Sequence, residues 1–212
     1  LMNNLMSFGT HRLWKKKLVQ QLNIQPNELI IDVGAGTGDI ADLIHNNYST
    51  ASIISIDLNL NMLKHGKEKI KHKSNKISWV NCNAENLPFK NDTFDKYIIS
   101  FCLRNVTLID NALYEAIRIL KPGGSFYCME FSAPISPFIN RIYNFYKSKI
   151  IPIIGEQITK NKKAYKYLEE SISEFPNQDI LLSKLNQIGF ENTSVINLFN
   201  GIVSIHKGFK IL

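Results

Sequence analysis

The chain has 212 residues, 44% of them apolar, enough for one sizeable core and near the size of a single domain. With 25 Lys and Arg against 18 Asp and Glu, the net charge of +7 admits a polyanionic partner. The lysines are scattered among Asn and Ile, however, without the aromatic-rich basic cluster of a nucleic-acid reader, so nucleic acid is not expected.

No apolar run approaches the roughly 18 residues of a membrane span. The opening Leu1-Met2-Asn3-Asn4 shows no charged leader or cleavage site of a secretory signal, and a start on Leu suggests truncation. Cys82, Cys102 and Cys128 lack metal-ligand spacing and sit in apolar stretches. They read as buried free thiols in a reducing compartment, and no metal is expected.

Leu5, Leu13, Trp14, Leu18 and Leu22 recur at helical spacing, with Lys15, Lys16 and Lys17 between them, so Leu1 to Leu22 reads as an amphipathic leading helix. Pro26-Asn27 breaks it. Leu29-Ile30-Ile31-Asp32-Val33 is then a run rich in β-branched residues ending in glycines, as expected of a buried parallel strand. Helices are expected at Thr37 to Asn46, Asn59 to Lys73 and Asp110 to Leu120, and strands at Ala51 to Asp57, Ile77 to Asn81, Tyr97 to Phe101 and Ser125 to Phe131. A Lys121-Pro122-Gly123-Gly124 turn precedes the last of these strands. Alternating units of this kind build a mostly parallel sheet with helices on both faces.

After Pro134 an aromatic, Pro-punctuated segment (Phe138 to Gly155) and a helix-like stretch (Lys160 to Ser173) read as an insertion, at about 134–175, covering the active site of a single domain spanning 1–212. A helix at Leu181 to Ile188, stopped by Gly189, leads to strand-like runs at Thr193 to Leu198 and Ile202 to Ile205. Asn200-Gly201 between them signals a tight antiparallel hairpin.

Gly34-Ala35-Gly36-Thr37-Gly38-Asp39 follows the first strand and opens a helix. There the backbone can approach a ligand and the helix N-terminus offers unpaired N–H groups. Asp57 ends the second strand about 20 residues later, placed to accept from two ribose hydroxyls. Both features suit NAD as well as S-adenosylmethionine, but the G-x-G-x-G spacing departs from the dinucleotide G-x-G-x-x-G and favours the methyl donor.

Further motifs are Asn83-Ala84-Glu85-Asn86-Leu87-Pro88-Phe89, Ile99-Ser100-Phe101-Cys102-Leu103-Arg104-Asn105-Val106, Leu120-Lys121-Pro122-Gly123-Gly124 and Glu130-Phe131-Ser132. With Tyr167-Leu168-Glu169-Glu170-Ser171-Ile172 and the Gly201 to Gly208 ending, they resemble the ubiquinone/menaquinone biosynthesis C-methyltransferase family over essentially the whole chain. The resemblance implies a class I S-adenosylmethionine-dependent fold: an α/β, Rossmann-like, seven-stranded, mostly parallel sheet with a C-terminal antiparallel hairpin. It implies that S-adenosyl-L-methionine is held by Gly34, Gly36 and Thr37 in the loop, Asp57 at the ribose, Asn83 and Ala84 at the adenine, and Ser100 at the end of strand four. The chain departs from the family pattern at Gly34-Ala35-Gly36, where Ala-Gly-Gly is frequent, and at Cys102, where glycine is usual. It also lacks the Tyr-Asp stretch that precedes Met-Asn in the family, an expectation of missing residues among which a targeting peptide would fit.

Ring-carbon methylation needs an electron-rich quinol, made nucleophilic by loss of a phenolic proton. Arg104, expected at the ligand-binding edge of the sheet, either stabilises a phenolate or orients a water acting as base, with Asn105 positioning the ring, or else simply pairs with Glu130 or another acid and fixes its loop. His11 and His206 are further candidate bases, each with a structural alternative, and Asp32 and Asp39 either touch the donor's amino-acid end or hold loop amides. Phe138, Ile142, Tyr143, Phe145, Tyr146, Ile150, Ile151, Ile153 and Ile154 supply an apolar wall for a polyprenyl tail, or core. Lys15 to Lys17 and Lys147 to Lys149 either rest on anionic lipid or face solvent.

The expected partners are a polyprenyl quinol and, peripherally, the membrane or other quinone-biosynthesis enzymes, with a homodimer compatible. The expected compartment is a bacterial cytoplasm or mitochondrial matrix. The alternative function is methylation of another lipid-like small molecule, of sterol or phospholipid type. An oxidoreductase lacks its glycine spacing and proton-relay pair here, and an amino-group methyltransferase of RNA or protein lacks its Asn-Pro-Pro-Tyr element after strand four.

Overall fold

The computed structural model describes residues 10–71, 75–139, 141 and 162–211. A leading helix α1 (His11–Gln21) is followed by β1 (Leu29–Val33), α2 (Asp39–Asn47), β2 (Ser52–Asp57), α3 (Leu60–Ile70) and β3 (Ile77–Asn81). Then come β4 (Phe94–Ser100), a 3-10 turn at Leu103–Asn105, α4 (Ile109–Ile119) and β5 (Leu120–Phe131). The chain ends with α5 (Lys162–Glu174), α6 (Gln178–Ile188), β6 (Glu191–Leu198) and β7 (Val203–Phe209).

The sheet has seven strands in the order β3-β2-β1-β4-β5-β7-β6, and β7 runs antiparallel to both neighbours. The first five strands are parallel, joined by helical crossovers except between β3 and β4, where a loop makes the connection.

The central strands are apolar on both faces because each face carries a helical layer. Ile30, Ile98 and Tyr127 pack with Trp14 and Leu18 of α1, Ile40 and Ile44 of α2, and Leu168 and Ile172 of α5. Their strand neighbours Ile31, Ile99 and Phe126 face the other way, onto Leu113 and Ala116 of α4 and Leu181 and Leu185 of α6. Among the described residues no helix is long and apolar enough to cross a membrane.

Boundaries differ from expectation where side chains intervene. The Asn59 side chain accepts from the amides of Asn61 and Met62, so Asn59 caps α3 rather than joining it. The Lys121 to Gly124 segment is a register shift rather than a turn outside the strand: Leu120 pairs with Phe94, and the ladder resumes at Ser125 with Lys96. The C-terminal hairpin closes on the Leu198–Val203 pair through four residues instead of two. Phe199, Asn200 and Gly201 are all left-handed there, at φ 48, 57 and 90°. Of the expected apolar wall, Ile142, Tyr143, Phe145, Tyr146, Ile150, Ile151, Ile153 and Ile154 lie outside the described residues, as do Lys147 to Lys149.

Candidate active site

Five chain segments meet at the C-terminal edge of the parallel strands and enclose a cavity of about 860 Å³. The loop after β1 lines it with Gly34, Gly36 and Thr37, β2 with Asp57, the segment after β3 with Asn83 and Ala84, and the end of β4 with Ser100 and Asn105. α1 adds His11, Arg12, Lys15 and Lys16. All seven sequence-derived donor residues therefore lie on one cavity.

Asp57 is held at the rim of the glycine loop. Gly36 N–H donates to its Oδ2 and Asn59 N–H to its Oδ1, each at 2.8 Å, and the Asn81 carboxamide donates to its carbonyl. A carboxylate fixed in this way keeps lone pairs for a diol. Gly34 adopts φ +66°, and a Cβ there would lie 2.2 Å from Cys102 Sγ, so loop and β4 segment are in backbone-close contact. Gly38, at φ +74°, has a packing duty that sequence reading did not assign: a Cβ there would strike the Trp79 ring at 2.4 Å.

Among the described residues, two buried side-chain polar atoms at the cavity lack a protein partner, the Ser100 hydroxyl and Oδ2 of Asp32. Asp32 is 1% exposed, and burial raises its pKa from 3.8 to about 7 against the opposing charge of Lys15. Burial also disfavours the ionised form of Asp39, yet hydrogen bonds and charge from Lys15, and then from Lys69, hold that carboxyl well below the ordinary range. Lys15 Nζ lies 2.8 Å from Asp39 Oδ2 and Lys69 Nζ 2.6 Å from Oδ1. Lys15 thus rests neither on lipid nor in open solvent, its side chain being 13% exposed, whereas Lys16 and Lys17 are exposed.

Arg104 and Asn105 sit together on the 3-10 turn but face different surroundings. Arg104 donates through Nη1 to Glu130 Oε1 at 2.7 Å and to the Phe101 carbonyl at 2.8 Å, and its guanidinium lies over the Phe131 ring. The pair is buried, with side-chain exposures of 5% and 0%, and Arg104 is not among the residues lining the cavity. Burial raises the pKa of Glu130, an effect that Arg104 opposes. Asn105 lines the cavity and accepts a hydrogen bond from Tyr167 of α5 at 3.1 Å. Tyr167 stood out in the sequence only as part of a motif.

His11 lines the cavity, and burial, reinforced by Lys15, lowers its pKa. His206 is instead a core residue, 1% exposed, with Nε2 3.0 Å from the Gln178 carbonyl. Burial pushes the Cys102 thiol up to about 12 and that of Cys82 to about 11, so neither is a thiolate at neutral pH.

The sequence matches the model of the ubiE/COQ5 methyltransferase family over residues 1–210. It is 41% identical to the mitochondrial 2-methoxy-6-polyprenyl-1,4-benzoquinol methylase of Gallus gallus, across 100% of this chain and 80% of that one. It is 42% identical to the ubiquinone/menaquinone biosynthesis C-methyltransferase UbiE of Francisella tularensis subsp. holarctica, across 99% and 85% respectively. Among solved structures, Haemonchus contortus phosphoethanolamine N-methyltransferase 2 in complex with S-adenosyl-L-methionine aligns at TM-score 0.72 and 14% identity, covering 94% of this chain and 53% of that one. A SAM-dependent methyltransferase from Thermotoga maritima aligns at TM-score 0.69 and 20% identity, covering 98% and 92%. At these identities the structural likeness is one of fold.

Proposed function

Because the chain belongs to the ubiE/COQ5 methyltransferase family, we propose that it methylates a ring carbon of a polyprenyl benzoquinol or demethylmenaquinol, using S-adenosyl-L-methionine, in ubiquinone or menaquinone biosynthesis. The observation that carries this reading beyond the family match is the cavity itself. It brings Asp57, Asn83, Ala84 and the glycine loop to one side and Asn105 with Ser100 to the other, with an orphaned hydroxyl and carboxylate oxygen available to a polar ligand. No feature of the cavity favours the sterol or phospholipid alternative.

When bound, S-adenosyl-L-methionine supplies an electrophilic methyl group on a sulfonium sulfur. Gly34, Gly36 and Thr37 would hold it along the glycine loop, Asp57 at the ribose hydroxyls, and Asn83 with Ala84 at the adenine. On the acceptor side Asn105 orients the quinol ring, and His11, kept neutral by burial, takes the phenolic proton that turns the ring carbon into a nucleophile. The ring carbon's own hydrogen then leaves as a proton, which restores aromaticity. Arg104 is a positioning residue here: tied to Glu130, it holds the turn on which Asn105 rides.

Within the stretch at about 134–175, α5 reaches the acceptor side through the Tyr167 hydrogen bond to Asn105. The relatives' names fit both a bacterial cytoplasm and a mitochondrial matrix, where the enzyme works in peripheral contact with the membrane or with other quinone-biosynthesis enzymes.

Titration calorimetry with S-adenosyl-L-methionine and with NAD, on wild type and Asp57→Ala, tests the donor. Binding of the first ligand alone, weakened by the substitution, is expected. Failure of folded protein to bind it overturns the reading. Incubation with demethylated quinols and labelled donor then tests transfer to the ring.

A further inference from the structure

The α1 side of the cavity carries a charge arrangement that adenosine binding does not use. Lys15, 13% exposed, reaches across from α1 to Asp39, the first residue of α2, while Lys69 from α3 takes the other oxygen of the same carboxylate. Two ammonium groups against one carboxylate leave a surplus of one positive charge around Asp39. An ammonium has three N–H donors, and Asp39 occupies one of those on Lys15. Close by under the glycine loop, Asp32 lines the same cavity at 1% exposure with Oδ2 unpartnered. The region thus offers a pre-positioned cation and an unsatisfied acceptor, the two signs that a zwitterion requires.

The strand order makes this the place where a zwitterion would lie. Asn83 and Ala84 follow β3, Asp57 ends β2 and the glycine loop follows β1, so a ligand with its nucleoside on the first two sites extends over the third toward α2 and α1. Arg12 and Lys16 also line the cavity but are exposed, so their charges are screened, whereas that of Lys15 is largely removed from water and held by Asp39.

We propose that Lys15 binds the carboxylate of the methyl donor's amino-acid arm, with Asp39 fixing the lysine and Asp32 facing the arm's ammonium. The proposal rests on the donor reading given above and assigns α1 a direct part in ligand recognition. The bland competitor is that Lys15 only fastens α1 to α2.

A ligand-by-residue cycle separates the two. Dissociation constants are measured by calorimetry for S-adenosylhomocysteine and for its decarboxylated analogue, which keeps the amine, on wild type and Lys15→Met. If Lys15 reads the carboxylate, wild type prefers the carboxylated ligand roughly 10- to 100-fold, as expected for a hydrogen bond between charged groups. Lys15→Met then loses that preference while binding the decarboxylated ligand as wild type does. Equal weakening of both ligands by Lys15→Met means that Lys15 is a clamp, and overturns the proposal.

Wild-type protein that binds the two ligands equally also overturns it, a reading that needs no variant to fold. Lys15→Arg, which keeps the charge, is expected to retain most of the preference. Wild-type protein that binds S-adenosylhomocysteine not at all overturns the donor reading itself, and the proposal with it.

Discussion

The hydroxyl of Tyr167 donates to the carboxamide oxygen of Asn105 at 3.1 Å, joining α5 to the turn at the end of β4 across 62 residues of sequence. Nitrogen and oxygen of this carboxamide are thereby distinguished, and the Asn105 amino group is left for the cavity. Tyr167→Phe removes the bond and little else. The ring is half exposed, so the expected effect is modest, roughly a threefold fall in kcat/KM for the quinol with donor affinity unchanged. Steady-state kinetics beside S-adenosylhomocysteine calorimetry checks it, and an equal loss of donor affinity would show that α5 supports the whole cavity rather than the acceptor side.

The Arg104–Glu130 pair is buried on both sides, so removing one partner strands a charge. Glu130→Gln is expected to lower unfolding free energy by about 3 kcal/mol, because it strands a guanidinium that cannot lose its charge, and Arg104→Leu by somewhat less, because the stranded Glu130 carboxyl, its pKa already raised by burial, can take a proton. The double variant should recover part of the loss. Chemical denaturation of all four proteins reads the coupling. Additive losses would mean that the pair does not act as a unit.

Gly34 and Cys102 are locked by space. Gly34→Ala places a Cβ 2.2 Å from Cys102 Sγ and 2.4 Å from Cys102 Cβ, so trimming Cys102 to alanine does not relieve it, whereas Cys102→Gly does. Gly34→Ala alone is expected to abolish donor binding. Combined with Cys102→Gly it should regain most of it, with a residual cost of about 1 kcal/mol for an L side chain at φ +66°. Donor affinity and melting temperature of the two proteins decide.

Asp32 carries a pH signature. Its folded pKa is raised from 3.8 to about 7, so between those values the folded state keeps a proton that the unfolded chain releases. The associated stability is complete below pH 3.8 and is lost as pH rises to 7, by about 4 kcal/mol at most. Asp32→Asn, neutral throughout, should therefore gain on wild type across this window and hold a constant lead above it. Urea denaturation at several pH values gives the difference, and a lead that stays flat across this window would show that Asp32 is already ionised in the folded state.

Much of the fold was legible because its signals are local. A strand-length run rich in β-branched residues and ending in glycines needs two covered faces, and Leu29 to Val33 is found in the middle of the sheet. The position of Asp57 beside the glycine loop was legible for the same reason: a strand, a loop and a helix in sequence fix where the next strand ends. Segments shaped by side-chain contacts were read less well. The four-residue connection of the last hairpin depends on Ile135 N–H donating to the Asn200 carbonyl and Ser136 N–H to the Asn200 side chain, partners more than 60 residues away.

By itself, the sequence determined the strand-helix alternation, the glycine loop and the acidic residue after β2, each set by spacing along the backbone. Only the tertiary structure decided which charges meet. Lys15 belongs to a lysine run that reads as a solvated face, and Asp39 and Lys69 lie 24 and 30 residues from their partners in the Lys15–Asp39–Lys69 array. Whether Arg104 faces a substrate or Glu130 likewise depends on how the β4 turn sits against β5. Pairing of charged side chains is governed by distance and burial in three dimensions, and no period of the sequence encodes it.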